Sequence, residues 1–285
     1  MGYPAQVEIV EVGPRDGLQN EKTPVDVATK VAFIGMLADA GLKVIEAGAF
    51  VSPKWVPQMA SSADVFAQLD HTRGIRYPML VPNDKGMQAA IDAGVKEVAI
   101  FTAASEAFTQ KNINCTIDES FARFDAVMQM ARAHDVRVRG YVSCVMGCPY
   151  AGDIEPAAVA SVAQRLIDIG CFEVSLGDTI GTGTPEKTQA MVQAVKAVAP
   201  VEKLAAHFHD TYNLALDNLR VALAQGIAVI DSAAGGLGGC PYAPGAAGNV
   251  STESVVRMLD ELGIYSGVDA DKVAQAGHFI AKNGR

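Results

Sequence analysis

The chain has 285 residues, 49% of them apolar and 19% charged, which is long enough to bury a sizeable core and too apolar for a disordered chain. Its net charge of −9 excludes the basic face that nucleic acid or an anionic membrane surface needs. Five cysteines at irregular spacing (115, 144, 148, 171 and 240) suit reduced thiols better than a disulfide framework.

Short runs rich in valine and isoleucine recur along the chain. They are 7–12, 43–48, 77–82, 97–102, 136–143, 172–178, 204–210 and 228–235, eight in all. Segments of helical periodicity separate most of them. The clearest is 24–40, where Val27, Val31, Ile34 and Ala38 recur at three- and four-residue steps. Thr23 is expected as its N-cap and Pro24 as its first helical residue, with Asp26 completing a capping-box pattern. Gly41 is expected to end it, and Gly94, Gly170 and Gly226 to end later helices, each shortly before a strand. Strands alternating with helices demand crossover connections and hence a parallel sheet. Eight such units predict a closed eight-stranded (βα) barrel of the TIM type, with the active site at the carboxy ends of the strands. An open doubly wound sheet would want a glycine-rich phosphate turn after strand one, and "EVGPRDGLQ" is not one. Residues 1–285 are expected to form one barrel domain, with a Gly-rich loop at 235–249 and a C-terminal helical segment. No run approaches 18 apolar residues and no secretory leader is evident, so a soluble cytoplasmic protein is expected.

The expected strand ends are unusually polar: Arg15-Asp16, Glu46, Asn83-Asp84, Asp178-Thr179, and His207, His209 and Asp210. Several charges converging on one rim point to an active site. Alternate residues of a strand share a face, so His207 and His209 project together and Phe208 away from them. Two imidazoles completed by Asp16 and Asn249 make an N2O2 set that suits Mg²⁺, Mn²⁺ or Co²⁺ and does not exclude Zn²⁺. The loop "GGLGGCPYAPGAAGN" carries six glycines and Cys240, whose thiol is a candidate to close over a substrate. Cys144 and Cys148 have the wrong spacing for a usual thiol metal or redox motif.

The stretches "VEVGPRDGLQNE", "FVSPKWVPQMA", "YVSCVMGCPY", "EVSLGDTIGTGTP", "HFHDTY" and "GLGGCPYAPGAAGN" resemble the 3-hydroxy-3-methylglutaryl-CoA lyase family, in order, over about residues 7–270. The resemblance implies metal-dependent cleavage of an acyl-CoA thioester to acetyl-CoA and acetoacetate. It places Asp16, His207, His209 and Asn249 on one Mg²⁺ or Mn²⁺. It associates Arg15 with the developing enolate, Cys240 with catalysis from a mobile loop, and Glu46 and Asp178 with important acidic positions. His207 is also a candidate proton donor, Lys22 a candidate for the CoA phosphates, and a homodimer is the family's expected assembly. Departures at Ala47, Gly48, Ala49, Ala151 and Asn213-Leu214 leave room for a larger branched 3-hydroxyacyl-CoA. A related 2-oxo acid aldolase or a condensing synthase is the other alternative.

Overall fold

The computed structural model describes residues 2–21, 23–239 and 248–284. In chain order it contains β1 (Glu8–Glu11), α1 (Val27–Asp39), β2 (Val44–Ile45), β3 (Gly48–Ala49), α2 (Ser62–Ala67), β4 (Met79–Leu80), α3 (Asp84–Asp92) and β5 (Glu97–Ala103). Next come α4 (Glu106–Ile113), α5 (Ile117–Ala133), β6 (Arg137–Ser143), a small hairpin of β7 (Gly147–Cys148) and β8 (Gly152–Asp153), α6 (Pro156–Ile169), β9 (Glu173–Asp178) and α7 (Pro185–Lys196). The chain finishes with β10 (Leu204–Phe208), α8 (Ala215–Ala224), β11 (Val229–Ser232), α9 (Thr252–Glu261) and α10 (Ala270–Asn283).

Nine strands form one parallel sheet in the order β2-β1-β11-β10-β9-β6-β5-β4-β3. Its two edges, β2 and β3, are halves of a single stave spanning 44–49. Within that stave Glu46 N donates to Glu11 O on one side (2.9 Å) and Ala47 N to Pro78 O on the other (3.0 Å). Those bonds close the sheet, giving the expected eight-stave barrel. Two-residue strands are short for an edge, but a closed ring has no edge to expose.

Alternation divides each strand between two environments. In β6, Val138 and Val142 join the hydrophobic layer beneath the helices. Arg139 and Tyr141 alternate with them and face the lumen. On the helix side α1 buries Phe33, Ile34 and Leu37 completely, worth roughly 1.5–3 kcal/mol each. Gly41, Gly94, Gly170 and Gly226 follow helices with φ of 105°, 81°, 110° and 98°, as expected of left-handed helix ends.

The start of α1 differs from expectation. Asp26, not Thr23, is the N-cap, and its carboxylate accepts from Thr29 N (2.8 Å). Residues 23–25 are held out of the helix by Gln58, which accepts from Val25 N (2.8 Å) and donates to Thr23 O (3.0 Å). A tertiary contact has outcompeted the local Thr-Pro signal. The Thr184-Pro185 start of α7 does form, with the Thr184 hydroxyl accepting from Lys187 N. Among the described residues no helix is long and apolar enough to cross a membrane. No disulfide joins Cys115, Cys144, Cys148 and Cys171.

Candidate metal centre

Beyond β1 the chain tightens into a π-type turn, Gly13–Gly17, in which Val12 O accepts from both Arg15 N (3.2 Å) and Gly17 N (3.1 Å). Such turns are uncommon and concentrate at functional sites. This one turns Arg15 and Asp16 over the barrel mouth. A Cβ at Gly17 would lie 2.7 Å from Leu237 Cβ, so only glycine lets the turn seat against the Gly-rich loop. Glu11 anchors both segments from below. Its Oε1 accepts from Gly13 N (2.8 Å) and Ala234 N (2.9 Å), and its Oε2 from Thr252 Oγ1 (2.7 Å). Burial outweighs these donors and pushes the Glu11 carboxyl up to about 7.

His207 and His209 leave β10 on the lumen side, their ring centroids 5.4 Å apart. Asn249 reaches them through the main chain. Val250 N donates to Phe208 O (3.1 Å) and Asp210 N to Gly248 O (3.1 Å), an antiparallel bridge that sets Asn249 opposite His209. Donor atoms of Asp16, His207 and His209 all lie within 4.8 Å of one another. Asn249 Nδ2 donates to Asp16 Oδ2 (2.9 Å) and Leu237 O (3.1 Å), while its Oδ1 is buried with no hydrogen-bond partner. A buried amide oxygen left so costs about 1–3 kcal/mol, and a cation beside it removes that cost. Carboxylate, amide oxygen and two imidazoles fit a divalent metal. Burial opposes charge on Asp16, yet Arg15 and the two histidines prevail and hold its carboxyl at about 2, ready as an anionic ligand.

Arg15 Nε donates to Glu46 Oε2 (2.7 Å) and Nη1 to Asp16 Oδ1 (2.6 Å), so its guanidinium is fixed beside the cluster. Nη2 has no partner among the described residues. Burial works against the Arg15 cation, but Glu46 and Asp16 keep it charged far above neutral pH.

Below this layer lies an arrangement that sequence reasoning missed. His207 Nδ1 faces Asp231 Oδ2 at 3.2 Å. Asp231 also accepts from Arg139 Nη2 (2.7 Å) and Nη1 (3.0 Å) and from Ser175 Oγ (2.7 Å). Arg139 further donates to Glu173 Oε1 (2.6 Å) and Tyr141 Oη (2.8 Å), and Tyr141 donates to Glu46 Oε1 (3.4 Å). The signal was present in "VRVRGYVS". Arginines at alternate positions of an inner barrel strand need buried carboxylates opposite them.

The other expected site residues lie elsewhere. Asp178 is fully buried on the outer side of β9, where it accepts from Thr182 N (3.2 Å) and Gly183 N (2.7 Å) and so ties down the following turn. Burial raises its carboxyl pKa against those donors. Asn83 caps α3 through Gly86 N. Lys22 and Cys240 fall outside the described residues. Above the cluster opens a cavity of about 970 Å³ whose lining includes Arg15, Asp16, Phe101, Tyr141, His207 and His209. Its outer wall adds Trp55, Lys111 and Arg123.

A closed parallel barrel carrying an Asp/His/His/Asn donor set and a fixed arginine at the carboxy ends of its strands defines an enzyme of the metal-dependent (βα) barrel class. The chain belongs to the HMGL-like family, whose model matches residues 6–280. It is 57% identical over 280 residues to the 3-hydroxy-3-isohexenylglutaryl-CoA/hydroxy-methylglutaryl-CoA lyase of Pseudomonas aeruginosa, covering 98% of this chain and 93% of that protein. It superimposes on a crystal structure of hydroxymethylglutaryl-CoA lyase from Pseudomonas aeruginosa with a TM-score of 0.97 at 56% identity, covering 100% of this chain and 97% of the other. A lyase from Acinetobacter baumannii, solved with coenzyme A and 3-methylmalate, matches with a TM-score of 0.93 at 35% identity over 99% of this chain and 92% of that one.

Proposed function

We propose that this protein cleaves 3-hydroxy-3-methylglutaryl-CoA to acetyl-CoA and acetoacetate, using a divalent cation held by Asp16, His207, His209 and Asn249. The observation that carries the reading is the juxtaposition of Asp16, His207 and His209 with Arg15 along the lining of one cavity. The family and its lyase relatives support it.

In the reaction the C3 hydroxyl gives up its proton, the C2–C3 bond breaks, and its electron pair passes into a thioester enolate. The C3 fragment leaves as the ketone of acetoacetate, and the enolate carbon takes a proton to give acetyl-CoA. A divalent cation bound here supplies the Lewis acidity that lowers the pKa of the C3 hydroxyl. Arg15 stabilises the enolate oxygen, because its charge is permanent and its Nη2 is uncommitted. Glu46 and Asp16 hold the guanidinium in place, so no reorganisation is needed when charge develops. Mg²⁺ and Mn²⁺ suit the oxygen-bearing donor set best. His207 acts as a ligand of that cation, Cys240 is the loop's proposed contribution, and Lys22 the proposed contact to the CoA phosphates. Asp178 acts by fixing the turn after β9. A homodimer in the cytoplasm is the proposed state.

Acetyl-CoA release by purified protein should collapse in EDTA and return with Mg²⁺ or Mn²⁺. If no 3-hydroxyacyl-CoA is cleaved in a metal-dependent way, the reading is wrong. A larger branched acyl chain is a second substrate reading, favoured by the cavity volume and by the isohexenyl substrate in one relative's name. A panel varying the C3 substituent separates the two.

A further inference from the structure

We infer that Asp231 is a positioning residue of this enzyme: clamped by Arg139 and Ser175, it fixes the tautomer and ring angle of His207 so that Nε2 is presented to the metal. The inference rests on the metal reading above and extends it to a buried residue on the neighbouring stave.

β10 and β11 pair so that His207 lies directly opposite Asp231, and both side chains point into the lumen. Asp231 is fully buried, and its two oxygens receive three donated hydrogen bonds before the histidine is counted. The Arg139 guanidinium donates to both of its oxygens and the Ser175 hydroxyl to one, so the carboxylate is paired with a permanent cation and every other polar neighbour aims a proton at it. It is therefore an acceptor with no proton to give. The ring nitrogen facing it at 3.2 Å, His207 Nδ1, must be the donor. A neutral imidazole protonated on Nδ1 carries its lone pair on Nε2, the atom left for the cation. A carboxylate behind a ligating histidine both orients the ring and raises its basicity.

Arg139 extends the same logic to the other half of the site. One of its nitrogens, Nη1, serves both Asp231 (3.0 Å) and Tyr141 Oη (2.8 Å). Tyr141 reaches Glu46, and Glu46 holds Arg15. One buried cation thus steadies the ligand His207 by one branch and the enolate-binding Arg15 by the other. The branches are separable. Removing the Tyr141 hydroxyl cuts the link toward Arg15 and leaves the Arg139–Asp231–His207 link in place.

The test measures Mn²⁺ binding directly, by titration calorimetry or by the electron paramagnetic resonance of free Mn²⁺, alongside turnover. D231N should bind Mn²⁺ about 10- to 100-fold more weakly than wild type. In an H207A background D231N should cause no further loss, because its effect passes through that ring. S175A keeps the ion pair intact and so tests the idea even where D231N folds poorly. It should weaken binding about fivefold, the worth of one hydrogen bond. Y141F should bind Mn²⁺ within about twofold of wild type while its turnover falls, a split that general destabilisation does not produce. D231N and S175A binding like wild type would overturn the inference, as would equal losses from D231N with and without His207. Wild-type protein that takes up no Mn²⁺ overturns the metal reading itself, and this inference with it.

Discussion

At the amino end of the barrel Arg76 and Arg137 share Glu97, and Arg76 also reaches Glu8; one layer above, Arg139 lies between Glu173 and Asp231. Both clusters pair arginine with carboxylates, and in each one arginine bridges two of them. Their surroundings differ. The side chains of Arg137 and Arg76 are 53% and 31% exposed, whereas those of Arg139 and Asp231 are 2% and 0% exposed. Water reaches Arg76, Arg137 and Glu8, and the buried Glu97 is shared by two arginines, so each single pair there gains little over separation. The upper cluster has lost that alternative. Its partners are a fixed part of the fold, and the alignment they impose on His207 and Glu46 is what the lower cluster cannot deliver.

Breaking the upper cluster should produce the largest effect. Arg139→Gln leaves Asp231 and Glu173 buried without their cation and should cost about 3–5 kcal/mol of stability in urea unfolding; a loss under 1 kcal/mol would mean that water enters the lumen. The next effect lies at the mouth of the barrel. Arg15→Gln should lower turnover about 10²- to 10³-fold with Mn²⁺ still bound, the scale of losing one preorganised donor to a developing oxyanion. A fall of less than tenfold would remove Arg15 from the enolate.

Glu11, on the helix side of the sheet, is a buried carboxyl facing neutral donors instead of an arginine. Burial raises it from 4.5 to about 7, so between those values the folded chain keeps a proton that the unfolded chain releases. Its stabilising contribution is complete below about pH 4.5 and is lost as pH rises through about 7, on the order of 1–3 kcal/mol. Glu11→Gln can still accept from Gly13 N and Ala234 N while donating to the Thr252 hydroxyl. Urea midpoints at pH 5, 6, 7 and 8 should therefore fall more steeply for wild type than for the variant. Equal slopes would place Glu11 at an ordinary pKa. The smallest change belongs to the lower cluster: Arg137→Gln should shift stability by about 0.5 kcal/mol or less and leave turnover alone.

The barrel was legible because the staves announce themselves as short Val/Ile runs, four of them shortly after a helix-ending glycine. Those signals are local and survive folding. The start of α1 was not, since Gln58, over thirty residues away, decides what 23–25 do. The division of 44–49 into β2 and β3 was equally hidden, because it follows from bonding to two different neighbours. At the rim, the two-residue spacing of His207 and His209 and the charges after β1 stood out in the sequence. The route by which Asn249 arrives, a main-chain bridge to the end of β10, did not. Arg139 and Asp231 were passed over because arginine and aspartate inside strands look like exposed-face residues until the sheet is known to be closed.

Asp16 and Asn249 are 233 positions apart in sequence and 2.9 Å apart in space. One follows the first stave and the other the last, and those two staves are hydrogen-bonded neighbours. The donor set therefore straddles the seam where the first and last staves of the chain lie side by side. A chain emerging from the ribosome carries both histidines long before it carries the residue that completes their set. On the proposed donor set, the site is complete only once the final stave and the segment after it have folded against the first.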